Sequence, residues 1–183
     1  MGVATARAGN VIGGGDWATD RLVPDFVRAI QRGEPIRLRQ PRAVRPWQFV
    51  LEPLGGYLLL AERLWREPGA FASAWNFGPA PASHTTVLQL AQHLVAAFGR
   101  GAIEIVEDDA LHETGYLALD CTKARDQLGW RPLLDVEQSI AWTAEWYSAL
   151  SGEPAAVATV AQQQVRRYER LFLATDDRLR KVA

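Results

Sequence analysis

The stretch Ala8-Gly9-Asn10-Val11-Ile12-Gly13-Gly14-Gly15-Asp16-Trp17 carries the strongest fold signal in this chain. An apolar segment, Val3 to Ala8, precedes it and predicts a buried strand that opens directly into a glycine-rich loop. In α/β proteins, ligands bind in the crevice at the carboxyl ends of the strands. The sequence therefore predicts an α/β fold with a ligand site in the loop after the first strand.

The composition is that of an ordinary globular protein. Of 183 residues, 48% are hydrophobic and 22% are charged, and the formal net charge of −1 gives no electrostatic basis for binding nucleic acid. Cys121 is the only cysteine, which excludes a disulfide within the chain, and its spacing from His84, His93 and His112 predicts no metal site. No apolar run reaches the ~18 residues of a membrane span, and the start lacks a signal-peptide pattern. We therefore expect a cytoplasmic protein without a membrane partner.

Helices and strands alternate along the chain. Apolar spacing predicts helices over Leu22–Ile30, Pro53 to about Arg66, Val87–Phe98, a short segment after Thr122, Val136–Leu150, and Ala155 to about Leu173. Extended segments are predicted over Val3–Ala8, Ile36–Leu38, Gln48–Leu51, Ser73–Phe77, Ile103–Val106 and Tyr116–Asp120. Local signals are glycines that end helices (Gly33, Gly99, Gly129), a cap at Thr85 or Thr86, and core tryptophans at 130, 142 and 146. We expect one domain over residues 1–183, with a frayed charged tail over 174–183.

Two blocks of sequence resemble the extended short-chain dehydrogenase/reductase family. The first is the segment 7–17 with Arg21-Leu22-Val23-Pro24-Asp25, and the second is Arg45-Pro46-Trp47-Gln48-Phe49-Val50-Leu51-Glu52-Pro53-Leu54-Gly55-Gly56-Tyr57-Leu58. Further matches are Trp75-Asn76-Phe77-Gly78-Pro79, the segment 119–124, and Leu128-Gly129-Trp130. Within the NAD-dependent epimerase/dehydratase branch, the blocks are most similar to the CDP-glucose 4,6-dehydratases. The resemblance implies the C-terminal half of such an enzyme: a mixed α/β substrate-binding domain with the last strand or strands of the Rossmann sheet, and without the N-terminal Rossmann domain that binds NAD.

Two motifs that the family uses for its chemistry do not occur in this sequence. There is no Gly-x-x-Gly-x-x-Gly or Gly-x-Gly-x-x-Gly fingerprint, and no tyrosine is followed four places later by lysine. The glycine pair in Gly99-Arg100-Gly101 follows a predicted helix and precedes a predicted strand, which is typical of a helix C-cap. In the family that the sequence resembles, hydride transfer needs NAD held over the sugar and a tyrosinate that takes a proton. We therefore expect no catalytic residue in this chain, no NAD bound to it alone, and no turnover by it alone.

The resemblance implies a sugar-nucleotide site on the residues that remain. Asn10, Arg45 and Asn76 match the family's contacts to the diphosphate, where arginine offers a charged fork and asparagine an amide donor. Each also has a structural alternative: an Asx turn for Asn10, an ion pair with Glu52 or Asp16 for Arg45, and a turn cap for Asn76. Weaker matches near the nucleotide are Leu22, Val23, Arg39, His112, Glu113 and Tyr116, and weaker matches near the nicotinamide of NAD are Arg7, Ala8 and Gly9. The structural alternative is helix core for Leu22 and Val23, and a solvated side chain for Arg39.

Three functions are consistent with these residues. The chain is the CDP-hexose-binding half of an enzyme that, in its full-length family, dehydrates CDP-D-glucose to CDP-4-dehydro-6-deoxy-D-glucose; or it is a sugar-nucleotide-binding module without chemistry; or it is a remnant without a ligand. GDP-mannose or another NDP-hexose is the alternative ligand. The expected protein partners are a separately encoded Rossmann half and a second copy, because the first strand would leave an open edge and apolar area uncovered.

Overall fold

The computed structural model describes residues 1–106, 114–150 and 154–182. The strands are β1 (Thr5–Ala8), β2 (Asn10–Ile12), β3 (Ile36–Leu38), β4 (Val44–Arg45), β5 (Trp47–Phe49), β6 (Ala74–Phe77), β7 (Thr85–Thr86) and β8 (Ile103–Ile105). The helices are α1 (Leu22–Arg32), α2 (Leu51–Arg66), α3 (Pro68–Phe71), α4 (Val87–Phe98), α5 (Thr122–Leu128), α6 (Val136–Ala149) and α7 (Pro154–Val182), with a 3₁₀ turn at Pro81–Ser83. The α/β fold class predicted from the sequence is confirmed. Among the described residues, no helix combines the length and hydropathy that crossing a bilayer requires.

The strands pair two by two. Strands β1 and β6, β2 and β5, and β3 and β8 are parallel pairs, whereas β4 and β7 are antiparallel. Gly9 joins the first two pairs, because its N–H donates to the Phe77 carbonyl at 3.2 Å while the next N–H, of Asn10, donates to the Pro46 carbonyl at 2.9 Å. This step places β2 directly after the carboxyl end of β1, where an α/β fold is expected to bind ligands.

Three apolar clusters form the core. The largest lies where α1, α4 and α6 meet, and its fully buried side chains include Phe26, Leu90, Leu94 and Ile140. The second surrounds Trp75, Phe77 and Trp130, and the third contains Phe49, Trp142 and Tyr168. The prediction that Trp130 and Trp142 are core residues is confirmed, and Trp146 packs partly buried against the largest cluster.

The helix-end signals in the sequence are confirmed. Gly33, Gly99 and Gly129 follow α1, α4 and α5 in the left-handed conformation, with φ of 69°, 65° and 74°. Thr86 rather than Thr85 caps α4, and its hydroxyl accepts from the Gln89 N–H while the Gln89 side chain accepts from the Thr86 N–H. Both groups satisfy donors that the first helical turn leaves open.

A strand is correctly predicted within Val3–Ala8, but the prediction that it is buried is wrong. Strand β1 covers only Thr5–Ala8, and Val3 is 70% exposed. The physical reason is that β1 pairs with β6 along one edge, and in the described part of the chain no strand pairs with its other edge. Parallel strands are normally covered on both faces, so a run of small and apolar residues predicts burial that only neighbouring elements can supply.

Three predicted boundaries also differ. Strand β5 ends at Phe49 and α2 already begins at Leu51, because the following Glu-Pro pair suits a first helical turn. In the segment predicted as extended over Tyr116–Asp120, Tyr116 forms an isolated parallel bridge to Val44. Helix α7 continues to Val182, beyond the predicted end near Leu173, since neither glycine nor proline interrupts this part of the sequence.

Candidate functional site

A cavity of about 570 Å³ opens beside β2, β5 and the start of α1. It brings together five of the predicted site residues, which are Gly9, Asn10, Leu22, Val23 and Arg45. Val23 is also a buried member of the largest core cluster, and Leu22 packs partly against it. The two positions therefore serve as both helix core and cavity wall, and the two interpretations of them are compatible.

Asn10 lies in a strand. Its backbone pairs with Trp47 of β5 in the parallel register, which differs from the glycine-loop position expected from the sequence. The side chain that orders the loop is that of Asp16, whose Oδ1 accepts from the Ala18 N–H at 3.0 Å. The Asx turn predicted as the alternative for Asn10 is thus made by Asp16, and Asn10 lines the cavity from the strand.

Arg45 is half-buried on β4 at the cavity wall. Its Nη1 donates to its neighbour's carbonyl, that of Val44, at 3.0 Å and to the Thr114 carbonyl at 2.7 Å. Of the two acids that the sequence offers as ion-pair partners, Glu52 is buried against Tyr168, and Asp16 pairs with Arg21. Arg45 therefore ties the segment after residue 113 to β4, and it also lines the cavity.

Sequence reasoning missed other cavity residues. Asp16, Asp20, Arg21 and Trp47 also line the cavity. The Arg21 guanidinium, which is largely exposed, pairs with Asp16 Oδ2 at 3.1 Å. The sequence did contain a signal for Arg21 as a site residue, because Arg21 directly precedes Leu22 and Val23 in the same motif. The cavity thus carries a second cation, Arg21, together with the carboxylates of Asp16 and Asp20.

The structure places Asn76, Arg7 and Ala8 elsewhere. They lie on the β1–β6 pair, and the cavity is built on β2 and β5. Asn76 accepts a hydrogen bond from Arg7 Nη1 at 3.4 Å and donates Nδ2 to the Asp120 carbonyl at 3.1 Å. Asn76 is therefore a strand residue rather than the turn cap of the alternative interpretation, and it joins β6 to the segment before α5.

The remaining predicted residues divide into exposed and undescribed ones. Arg39 is exposed directly after β3. Tyr116 is exposed too, and its hydroxyl lies 3.2 Å from His84 Nδ1 beside the β4 strand that carries Arg45. His112 and Glu113 lie outside the described residues.

The glycine-rich loop does not fit the pyrophosphate of a dinucleotide. In a dinucleotide fold such a loop opens a helix, and the N-terminal amides of that helix hold the pyrophosphate. Here α1 begins only at Leu22, and a Cβ built on Gly14 would lie 2.0 Å from Cγ of Trp146, so a side chain of the protein already fills the space beside that glycine. This loop is therefore not the pyrophosphate cradle of a dinucleotide fold. Within the described ranges, no three His, Cys, Asp or Glu residues cluster as metal ligands.

Comparisons with known proteins agree with this architecture, although no family model matches the chain. CDP-glucose 4,6-dehydratase of Salmonella typhimurium is 43% identical over 150 residues, which are 81% of this chain and 42% of that protein. A dTDP-glucose 4,6-dehydratase of Streptomyces antibioticus is 33% identical over 131 residues, 70% of this chain and 37% of that protein. The solved dTDP-glucose 4,6-dehydratase of Streptomyces venezuelae, with NAD bound, superimposes with a TM-score of 0.68 at 23% identity, over 81% of this chain and 44% of that one.

The chain spans about two fifths of the length of the curated relatives that it matches. The structural match is at low identity and shows the fold, while the match to the Salmonella protein shows the relationship in sequence. The chain belongs to the extended short-chain dehydrogenase/reductase family, in the branch of the sugar-nucleotide 4,6-dehydratases.

Proposed function

We propose that this chain supplies the sugar-nucleotide-binding part of a CDP-glucose 4,6-dehydratase. The observation that carries the proposal is the cavity wall on which Asn10 of β2 and Arg45 of β4 meet the start of α1. The cavity volume of about 570 Å³ lies within the ~300–1,000 Å³ of typical small-molecule sites. In the complete enzyme, the ligand is CDP-D-glucose, which is dehydrated to CDP-4-dehydro-6-deoxy-D-glucose.

The charges of the cavity suit a diphosphate. Arg45 and Arg21 carry guanidinium groups of the kind that bind a diphosphate, Arg21 being in an ion pair with Asp16, and Asn10 offers a neutral amide donor. Leu22 and Val23 add apolar wall beside these polar groups.

The NAD needed for the reaction is held by a Rossmann half, either in the same polypeptide or in a separately encoded one. Three observations support this division. The glycine-rich loop of this chain is filled by Trp146, and the sequence of 183 residues contains no dinucleotide fingerprint and no Tyr-x-x-x-Lys pair. The exposed β1 edge offers a surface on which further parallel sheet can form. This chain by itself is expected to bind the nucleotide without turnover.

A second candidate is a binding module for another NDP-hexose. It is favoured by the similarity to dTDP-glucose dehydratases and by the absence of catalytic motifs from the sequence. The candidate differs from the first in nucleotide preference, which a competition among CDP, dTDP and GDP measures directly.

Calorimetric titration of the purified chain tests the proposal. We expect CDP to bind weakly but in preference to dTDP and GDP, and to raise Tm. A ligand that binds only the folded state stabilises it by about 2.7 kcal/mol at a hundredfold excess over Kd. Incubation with CDP-glucose and NAD is expected to give no keto-sugar. Absence of CDP binding to demonstrably folded protein, or keto-sugar from the chain alone, contradicts the proposal.

A further inference from the structure

Helix α6 holds the glycine-rich loop that borders the cavity. Tyr147 of this helix donates its hydroxyl to the main-chain carbonyl of Asp16. The neighbouring ring of Trp146 lies against Gly14, so closely that a Cβ at that glycine would be 2.0 Å from the indole. The Tyr147 ring also meets Trp17 edge-on, with centroids 5.4 Å apart. Two consecutive aromatic residues of α6 therefore contact the loop at three of its residues, Gly14, Asp16 and Trp17.

Helix α1 also holds this loop. Arg28 donates Nη1 to the Trp17 carbonyl and Nη2 to the Ala18 carbonyl, both at 3.0 Å. Arg28 is itself fixed by an ion pair with Asp25 on its own helix. The loop is thus held through the carbonyl groups of Trp17 and Ala18 as well as that of Asp16.

Asp16 connects the loop that α6 and α1 hold to the cavity. Its carbonyl is held by Tyr147, its Oδ1 accepts from the Ala18 N–H at 3.0 Å, and its Oδ2 pairs with Arg21 at 3.1 Å. Both members of the Asp16–Arg21 pair line the cavity. The position of the Arg21 cation therefore depends on how firmly the loop is held.

We propose that Tyr147 is a positioning residue for the sugar-nucleotide site: its hydroxyl fixes Asp16, and Asp16 fixes Arg21 at the cavity where a nucleoside diphosphate binds. This inference rests on the proposed function for the nature of the ligand. Without the hydroxyl contact, the loop samples more arrangements, and the apparent Kd rises as the binding-competent fraction falls.

The chemistry of the phenol suits this role. Burial, together with the Asp16 charge, raises the pKa of Tyr147 to about 12, so the hydroxyl keeps its proton at neutral pH and remains a donor. A phenylalanine at this position retains the ring contacts with Trp17 and Trp146 and removes only the O–H group. Tyr147→Phe therefore removes one hydrogen bond, that from the phenol hydroxyl to the Asp16 carbonyl.

The experiment compares Tyr147→Phe with Tyr168→Phe. The second variant also removes a buried phenol hydroxyl, one that donates to Glu52 at 3.0 Å in the third core cluster rather than at the cavity. In calorimetry with CDP, we expect the Kd of Tyr147→Phe to rise several-fold, up to about tenfold, because this is the factor that one neutral hydrogen bond contributes. The Kd of Tyr168→Phe should be unchanged. Amide hydrogen exchange at Ala18 without ligand is expected to accelerate in Tyr147→Phe alone.

The outcomes separate the two claims. A Kd for Tyr147→Phe equal to that of the parent, or an equal rise in both variants, overturns the positioning role. Unchanged exchange at Ala18 in Tyr147→Phe overturns it as well. If the parent does not bind CDP while exchange at Ala18 still accelerates in Tyr147→Phe alone, the anchoring of the loop is supported and the proposed function fails.

Discussion

Tyr168 donates its hydroxyl to Oε2 of Glu52 at 3.0 Å, although 116 residues separate them in the sequence. The fully buried Glu52 carboxylate also accepts from the N–H groups of Leu133 and Leu134, the latter at 2.7 Å. It thereby joins α2 to the segment before α6 and to α7. Burial raises the pKa of Glu52 to about 7, an effect that these hydrogen bonds oppose only in part.

The free energy of unfolding is expected to decrease as the pH rises from about 5 to about 7. A carboxyl whose pKa is raised in the folded state binds a proton more tightly there than in the unfolded chain, so its stabilising contribution is present below the unfolded pKa and is lost as pH rises through the folded one. A shift from 4.5 to about 7 corresponds to about 3 kcal/mol. Urea denaturation at several pH values measures the change.

Glu52→Gln is expected to remove most of this pH dependence, because a buried amide does not titrate. The matched control is Glu62→Gln, which makes the same change at an exposed position of the same helix, where Glu62 pairs with Arg66 at 2.7 Å. The control should follow the pH profile of the parent. Identical slopes in Glu52→Gln and the parent would show that other groups set the pH dependence.

Arg45→Ala is expected to weaken CDP binding by well over tenfold, since truncating one partner of a buried, hydrogen-bonded charge pair costs about 2–5 kcal/mol. Arg37→Ala is the control, because Arg37 is an exposed arginine in an ion pair with Glu104 on the β3–β8 pair, and it should leave Kd unchanged. Arg45→Lys keeps the charge but loses the planar fork, so an intermediate Kd is expected. Calorimetry reports all three values, and parental affinity in Arg45→Ala would place the diphosphate elsewhere.

Gly14→Ala is expected to lower the stability by about 1–3 kcal/mol, the usual cost of overpacking. The added Cβ would lie 2.0 to 2.6 Å from three ring atoms of Trp146, so either the loop or the indole must move. Gly69→Ala is the control, because a Cβ there meets no atom within 4 Å and Gly69 lies in a short helix. Thermal denaturation compares the two. In a Trp146→Ala background the cost of Gly14→Ala should largely disappear, and its persistence would contradict the steric explanation.

Local features of this fold could be predicted from the sequence because their causes are local. A glycine after α1 and a Thr-x-x-Gln box at α4 act within a few residues, so Gly33 and Thr86 end and begin helices as their neighbours dictate. The family motifs likewise predicted Asn10, Leu22 and Arg45 as site residues, and all three line one cavity.

The remaining features depend on contacts between distant parts of the chain. The sequence presents Glu52 as a surface partner for Arg45, whereas the structure buries it against Tyr168 and Leu134. Asn76 was expected beside Arg45, but the step at Gly9 separates the β1–β6 pair from the cavity strands. Neither outcome follows from periodicity, since both require knowing which strands pair.

Concentration-dependent self-association is expected for the isolated chain. Val3 is 70% exposed before β1, and Leu58 and Trp65 of α2 are 74% and 90% exposed. The two regions adjoin, because a Cβ at Gly2 would lie 2.9 Å from Cδ1 of Leu64, the residue before Trp65. An open strand edge beside exposed apolar side chains favours pairing with another chain.

Sedimentation velocity over a wide range of protein concentration measures this association in the parent and in the double variant Leu58→Lys/Trp65→Lys. Both side chains project from α2 with most of their surface exposed, so the lysines should leave Tm nearly unchanged and shift the distribution toward monomer. Ile105→Lys is the control, since it replaces an apolar residue that is 53% exposed on β8, away from this surface. It should associate as the parent does. A parent that stays monomeric throughout, or a double variant that associates as strongly as the Ile105→Lys control, would show that this surface does not drive contact between copies.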